Sequence, residues 1–289
     1  MVGVRGFLKR EGFDFDKKPH QIDRAFLRLF SSADADRIRG IWDEINMFGA
    51  SATKLYAVPK TLQQAHLLMS YDRERYLVGF DWIRERVADL APAKVLEVGT
   101  GTGVLLRYLA ANFPNVAYRG IDLEASLIGS APPQERIDLV VGDYLQMEAT
   151  ADADLVICNF GFDNDRFPDS ATPHSIDQVG ESKFCPGCSD DLARHLDSYF
   201  QAWRRWAKPD ASLLVVGRIS SFGFLRAVAL AANSAGWHLD LDDSAVLTVP
   251  DPDHGPQRYP ALQFEAQSWA QPSILDVESF YRAAAGSLS

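Results

Sequence analysis

The chain has little of what membrane-spanning or exported proteins carry. None of its 289 residues lies in an apolar run approaching the roughly 18 residues that cross a bilayer. The start, from Met1 to Leu8, also lacks the longer apolar core of a signal peptide. We therefore predict no membrane partner and, by default, a cytoplasmic location.

Basic residues are also scarce. Lysine and arginine number 29 against 39 aspartate and glutamate residues, for a formal net charge of −10. Binding to a phosphate backbone draws on clustered lysine and arginine, so we predict no nucleic-acid partner. A hydrophobic content of 47% allows a substantial core. The length suits one ordinary α/β domain with an added piece.

Cysteine is rare, with three residues in all. Cys185 and Cys188 form a C-x-x-C pair, which with His174 and His195 could complete a tetrahedral zinc site. A redox disulfide is a second alternative. We expect two reduced cysteines in a Pro-Gly turn and no metal. Cys158 is expected to be a small core residue.

One short segment carries the strongest signal in the chain. Val95, Leu96 and Val98 form the apolar run of a buried β-strand, and residues 104–110 continue with helical spacing. The glycines at 99, 101 and 103 stand between the strand and the helix. Glycine tolerates positive φ and lets the backbone approach a ligand closely. The segment therefore predicts a turn that holds a nucleotide-like ligand.

The spacing of these glycines separates two cofactor classes. A dinucleotide fingerprint, G-x-G-x-x-G, needs a third small residue where this chain has Val104 or Leu106. An acidic residue two places before G-x-G-x-G instead resembles the first motif of the class I S-adenosylmethionine-dependent methyltransferases. A packing role for the glycines is the alternative. The resemblance implies cofactor contacts by Glu97, Gly99, Thr100, Gly101 and Gly103.

Further segments match later motifs of that family in order. Asp122 ends a second predicted strand, where a carboxylate can accept hydrogen bonds from both ribose hydroxyls. A lone aspartate there could also form a turn or cap a helix. Asp143 closes a third predicted strand and Asn159 a fourth. The resemblance implies that the cofactor also contacts Asp122, Leu123, Asp143, Tyr144 and Asn159.

The resemblance also implies the fold, which is a Rossmann-like methyltransferase fold of the α/β class. We expect a seven-stranded, mostly parallel sheet that ends in an antiparallel hairpin, with hairpin strands at residues 245–249 and 259–265. That hairpin distinguishes methyltransferase sheets from dinucleotide-binding ones. Residues 71–289 would form this domain, with an insertion at residues 161–189 that we expect to select the substrate.

Residues 1–70 read as a separate helical segment. Apolar residues recur there at helical spacing, first at Ile22, Phe26, Leu29 and Phe30 and then at Ile38, Ile41, Trp42 and Ile45. The resemblance implies a cap over the substrate pocket or a homodimer interface. Plain packing against the catalytic domain is the alternative.

No familiar sequence motif marks the general base. His174 and Asp163, both in the expected insertion, are the catalytic candidates. His195 falls on a predicted helix capped by Ser189, where a structural role is favoured. The base motifs of nucleic-acid amino-methylases and of phenolic O-methyltransferases are absent, so neither base can be carried over.

These patterns together predict an S-adenosylmethionine-dependent methyltransferase. Its acceptor is expected to be the oxygen or nitrogen of a small molecule or short peptide, in secondary metabolism. Three alternatives stay open. They are a non-catalytic protein that binds cofactor or a partner, a nicotinamide-dependent oxidoreductase, and an interaction module organised by zinc.

Overall fold

A computed structural model describes most of the chain. The described residues are 2–16, 19–48, 53–161, 185–219, 221–250, 256–266 and 272–286.

Seven strands form one mixed sheet. They are β1 (Lys94–Val98), β2 (Ala117–Asp122), β3 (Ile137–Val141), β4 (Ala153–Asn159), β5 (Ala207–Val216), β6 (His238–Val249) and β7 (Gln257–Glu265). Their order across the sheet is β3-β2-β1-β4-β5-β7-β6. Strands β2 and β3 are parallel, as are β4 and β5. Strand β7 runs antiparallel to both β5 and β6, so the predicted sheet and its final hairpin are confirmed.

The described residues also form eleven α-helices. These are α1 (Val4–Arg10), α2 (Pro19–Leu29), α3 (Ser32–Phe48), α4 (Thr53–Tyr56), α5 (Leu62–Met69), α6 (Arg73–Leu90), α7 (Val104–Asn112), α8 (Ala125–Ser130), α9 (Pro186–Trp206), α10 (Phe222–Ser234) and α11 (Ile274–Gly286).

Residue contacts divide the chain into two compact units. The first holds Met1–Ala93, Glu97–Asp143 and Gly161–Arg166. The second holds Lys94–Leu96, Tyr144–Phe160 and Phe167–Ser289. The division predicted from the sequence, at residue 70, stays a prediction.

In the first unit, the N-terminal helices share an apolar core. Its members come mainly from α2, α3 and α5 and include Ile22, Phe26, Phe30, Ile38, Ile41, Leu67 and Leu68. The helical spacing therefore identified the buried faces of α2 and α3. Trp42, which continues the same spacing, is 37% exposed. The N-terminal helices also meet the α/β part of this unit, since Ser126 Oγ of α8 donates to the Tyr56 carbonyl (3.2 Å).

In the second unit, α9 packs beside α10, and three expectations need correction. Helix α9 begins at Pro186, so the last residues of the expected insertion are helical. Ser189 does not cap this helix. It is buried, and its hydroxyl donates to the Gly223 carbonyl (2.8 Å) at the start of α10. Strand β6 begins at His238, earlier than predicted, because His238 already pairs with Glu265 of β7.

Candidate functional site

The glycine turn between β1 and α7 has the backbone that its sequence predicts. Gly99, Gly101 and Gly103 all take positive φ, at 67°, 57° and 68°. The N–H groups of Gly99 and Thr100 donate to the Ile121 carbonyl of β2 (2.9 and 3.2 Å). No side chain caps the start of α7, so its first N–H groups are left for a ligand or solvent.

Space beside the turn differs from one glycine to the next. A Cβ at Gly99 would lie 2.9 Å from the Gly161 Cα, so the backbone itself leaves no room there. A Cβ at Gly101 would meet only the Leu127 side chain, at 3.9 Å. The turn is therefore closely packed at its first glycine and open at its second, where a ligand can approach the backbone.

Asp122 lies directly against this turn. Its Oδ2 accepts from the Gly101 N–H (2.7 Å), and its Oδ1 accepts from the Glu124 N–H (2.9 Å). Burial raises the pKa of Asp122, and the bonds from the Glu124, Gly101 and Leu123 N–H groups oppose that rise. The second bond makes Asp122 a turn former as well, although Glu124 is the N-cap residue of α8. A carboxylate has about four acceptor positions, so capacity for a diol remains.

An apolar edge borders this carboxylate. Leu123, the next residue, is 60% exposed, and Val141 of β3, which pairs with Asp122, is 49% exposed. Large apolar side chains at the surface beside a buried acid suit a ligand with one polar and one apolar part. A nucleoside, with its ribose hydroxyls and its flat base, has this composition.

Glu97 supports the turn from inside the protein. It is buried, and its Oε2 accepts from the Thr100 hydroxyl (2.6 Å). Burial raises the pKa of Glu97 to about 8, the Thr100 bond opposes that rise, and the Asp122 charge adds to it. Two neighbouring acids with raised pKa values favour a positively charged ligand, because a cation would stabilise their ionised forms.

Two residues on the far side of the turn were missed by sequence reasoning. Thr102 is fully buried between the second and third glycines, and its carbonyl accepts from Arg107 Nη1 (2.5 Å). Arg107 is itself buried. The available signal was a lone arginine among the apolar residues of α7, since a buried guanidinium needs fixed partners.

Comparison with known proteins agrees with this geometry. The family described as a methyltransferase domain matches residues 95–179, which include the glycine turn, Asp122 and both following strands. Over this region the chain resembles the class I S-adenosylmethionine-dependent methyltransferases. The cofactor of this family is S-adenosylmethionine, a sulfonium cation attached to an adenosine. The two acids described above fit the positive charge of this cofactor. The open turn beside Asp122 fits its ribose, and the apolar edge fits its adenine.

Similarity to individual proteins is local. A malonyl-[acyl-carrier protein] O-methyltransferase of Neorickettsia risticii is 32% identical over 77 residues, which is 26% of this chain and 30% of that protein. Its counterpart in Priestia megaterium is 34% identical over 71 residues, or 24% and 26% of the two chains. The matched region thus spans less than a third of these curated relatives.

Solved methyltransferase structures resemble the chain more broadly and at lower identity. Magnesium protoporphyrin IX methyltransferase from Synechocystis, with bound S-adenosylhomocysteine, is 12% identical with a TM-score of 0.47. That match covers 68% of this chain and 87% of the other.

The remaining predicted cofactor contacts of this chain fall in both units. Asp143 follows β3 in the first unit and is half-buried. Tyr144 and Asn159 belong to the second unit, where the Tyr144 carbonyl accepts from Trp206 Nε1 (3.3 Å). Asn159 is buried, and among the described residues its Oδ1 has no hydrogen-bond partner. Their contacts with the cofactor stay predictions.

The predicted general bases cannot be located. Asp163 and His174 lie outside the described residues, so both stay predictions. His195 lies half-buried on α9 beside Tyr199, with ring centroids 6.1 Å apart, and its structural role stays a prediction.

The cysteines and the surface give three further findings. No disulfide joins Cys158, Cys185 and Cys188, and the first and last of them are buried. Over the part of the chain that is described, no group of three or more His, Cys, Asp or Glu side chains could hold a metal. Within the same residues, no helix has the length and apolar character needed to cross a membrane.

Proposed function

We propose that this protein transfers the methyl group of S-adenosylmethionine to an oxygen or nitrogen of a small molecule or short peptide. One observation carries the proposal. Asp122, at the end of β2, accepts a hydrogen bond from Gly101 in the middle of the glycine turn (2.7 Å). The carboxylate that we propose as the ribose ligand is thus hydrogen-bonded to the turn within one unit.

The residues of the first unit would have different roles in cofactor binding. Asp122 would accept hydrogen bonds from the ribose, and Leu123 would cover one face of the adenine. Glu97, Thr100 and the three glycines would keep the turn open. The sulfonium supplies an activated methyl group when the cofactor is bound. The protein then has to bind the acceptor, orient its attacking atom and remove its proton.

Orientation can supply most of the rate enhancement. Holding two reactants in a near-attack arrangement contributes up to about 7–11 kcal/mol, whereas a general base contributes roughly 10²- to 10⁴-fold. His174 and Asp163 are our proposed bases. The buried Oδ1 of Asn159, which has no partner among the described residues, would accept a hydrogen bond from a bound ligand, because a buried amide oxygen without a partner is costly.

The acceptor class is argued from charge and from the relatives. A net charge of −10 opposes a polyanionic substrate. The curated relatives act on a malonyl group carried by a protein, so a carboxyl oxygen is a candidate acceptor here too. A role in secondary metabolism, a cytoplasmic location and a homodimer through the N-terminal helices also belong to this proposal.

Calorimetric titration tests the cofactor site. We expect S-adenosylmethionine and S-adenosylhomocysteine to bind, and Asp122→Asn to weaken binding by about 1.5–3 kcal/mol because hydrogen bonds to a charged group are lost. Asp138→Asn is the matched control. It makes the same chemical change in the same unit, at an exposed carboxylate that pairs with Arg119 (3.3 Å). Equal losses in the two variants would remove Asp122 from the site.

A second assay tests transfer. Labelled cofactor is incubated with phenols, amines, short peptides, malonyl-loaded acyl carrier protein and extracts, and labelled products are identified by mass spectrometry. A labelled product identifies the acceptor. Cofactor binding without any product would favour the non-catalytic binding protein. Tight binding of a nicotinamide nucleotide, with none of S-adenosylmethionine, would favour the oxidoreductase.

A further inference from the structure

The side of the glycine turn that faces into the protein is fastened to the N-terminal segment. Thr102 lies between Gly101 and Gly103. Its hydroxyl oxygen and its backbone carbonyl oxygen each make a hydrogen bond. Its Oγ1 lies 3.0 Å from His66 Nε2 of α5. Its carbonyl accepts from Arg107 Nη1 (2.5 Å). Neither contact involves the residues that would touch the cofactor.

The hydrogen bonds of His66 can be assigned a direction. His66 is fully buried, and burial lowers its pKa to about 4, so the ring is neutral near pH 7. Its Nδ1 contacts the backbone carbonyl of Glu11. A carbonyl can only accept, so Nδ1 carries the proton and Nε2 is the acceptor. The Thr102 hydroxyl must therefore donate to His66, which fixes the rotation of the threonine side chain.

The second fastening runs through a buried ion pair. Arg107 Nε and Nη2 both donate to Glu11 Oε2, at 3.0 and 2.7 Å. A buried guanidinium requires such a partner, because removing one member of a buried pair leaves an uncompensated charge. Glu11 thus holds Thr102 by two routes. Its carbonyl acts through His66, and its carboxylate acts through Arg107.

We propose that Glu11, His66 and Arg107 are positioning residues that hold the glycine turn in its ligand-binding shape from behind. The proposal rests on the proposed function for the identity of the ligand. Glycines restrict their own φ and ψ less than other residues, so the two that flank Thr102 do not by themselves hold one shape. Holding the hydroxyl and the carbonyl oxygen of Thr102 in place restricts the backbone at the residue between the two glycines. The N-terminal segment is then part of the cofactor site without touching the cofactor.

Removing these hydrogen bonds should reduce the affinity for the ligand. A loose turn has to be ordered during binding, and that ordering reduces affinity, whereas a pre-organised turn avoids it. We expect variants that break either route to bind S-adenosylmethionine about tenfold more weakly. They should also exchange the amide hydrogens of the turn faster when no ligand is present.

Four variants of the full chain test whether these residues hold the turn. Glu11→Gln keeps the size and the carbonyl contact to His66 but removes the charge that Arg107 needs. Thr102→Val keeps the shape and removes the hydroxyl, whereas Thr102→Ser restores it. The control is Asn112→Ala. Asn112 Oδ1 accepts from the Val2 N–H (2.9 Å), so this variant loosens the same N-terminal segment at the opposite end of α7.

Hydrogen–deuterium exchange of the unliganded protein and calorimetric affinity are then compared. We expect Glu11→Gln and Thr102→Val to speed exchange of the Gly101 and Gly103 amides about tenfold and to raise Kd about tenfold. Thr102→Ser and Asn112→Ala should stay within about twofold of wild type. Exchange in β5, which lies in the other unit, should not change.

Three outcomes of the exchange measurement would overturn the inference, and one outcome of the affinity measurement would do the same. The first three are unchanged turn exchange in both Glu11→Gln and Thr102→Val, an equal effect of Asn112→Ala, and faster exchange that also reaches β5, which would mean general destabilisation. Faster turn exchange with unchanged affinity would also refute the positioning role. If the wild type binds no S-adenosylmethionine, the proposed function fails, and exchange in the unliganded chain still decides whether the turn is fastened.

Discussion

Replacing Glu97 by glutamine should flatten the pH dependence of stability just above neutrality. Glu97 is buried and accepts from the Thr100 hydroxyl, a bond that a glutamine carbonyl can keep. The variant therefore removes the ionisable group while leaving the shape of the turn largely intact. Any difference between the two proteins that depends on pH then comes from the charge of this one carboxylate.

The size of the effect follows from the two pKa values. The pKa of Glu97 rises from 4.5 in the unfolded chain to about 8 in the folded protein, chiefly through burial. The folded state therefore keeps a proton that the unfolded state loses. The stability from this group is fully present below pH 4.5 and is lost as pH rises through 8. At about 1.4 kcal/mol per pH unit, the whole loss is on the order of 5 kcal/mol.

The contribution of His66 to stability changes with pH in the opposite direction, which narrows the pH range in which the effect of Glu97 can be measured. Burial lowers its pKa from 6.5 to about 4, so its contribution is present above pH 6.5 and is lost as pH falls towards 4. Between pH 4.5 and 6.5 the two groups oppose one another. Of these two groups only Glu97 acts above pH 6.5, and its ionisation should lower the free energy of unfolding by about 2 kcal/mol by pH 8.

Urea denaturation at several pH values between 6.5 and 8.5, without cofactor, measures this. The free energy of unfolding should fall about 2 kcal/mol more in the wild type than in Glu97→Gln across that range. Glu85→Gln is the control, since the Glu85 side chain is 56% exposed and pairs with Arg84 on the surface. Parallel pH profiles for wild type and Glu97→Gln would refute the buried, protonated carboxyl.

Three further changes test the turn and the second unit. Gly101→Val should abolish S-adenosylmethionine binding in calorimetry and keep the circular dichroism spectrum, because only Leu127 lies near the new side chain and the strain of a β-branched residue at φ 57° falls on the turn itself; retained affinity would refute our picture of the open turn. Gly99→Ala should lower the free energy of unfolding by at least about 1 kcal/mol more than Gly101→Ala. Both alanines carry the cost of positive φ, but only the first meets backbone at 2.9 Å, and equal losses would contradict that contact. Ser221→Ala, which removes the cap that accepts from the Phe224 N–H (3.2 Å), should cost about 1 kcal/mol in urea denaturation, and no loss would mean that the cap is unimportant.

Local patterns determined much of this protein from the sequence alone. The strand from Lys94 to Val98, the glycine turn and the start of α7 were predictable because each depends on neighbouring residues. The same holds for the buried faces of α2 and α3, whose apolar residues recur every three or four positions. The fold class followed from the order of such elements.

Tertiary structure decided what depends on residues far apart in the chain. Ser189 was expected to cap a helix, and instead it is buried against Gly223 of α10. Strand β6 begins early because β7 extends the pairing, and nothing local to His238 signals this. These positions were set by a partner element, and sequence spacing does not reveal which partner that is.

The fastening of the glycine turn shows the same limit at the candidate site. Glu11 lies 96 residues from Arg107 and 55 from His66, and only the folded chain brings them to Thr102. The sequence by itself determined that a turn able to hold a ligand exists, because glycine spacing and strand pattern are local. Only the tertiary structure decided what holds that turn in place, because a buried charge and a neutral histidine acquire their partners through packing.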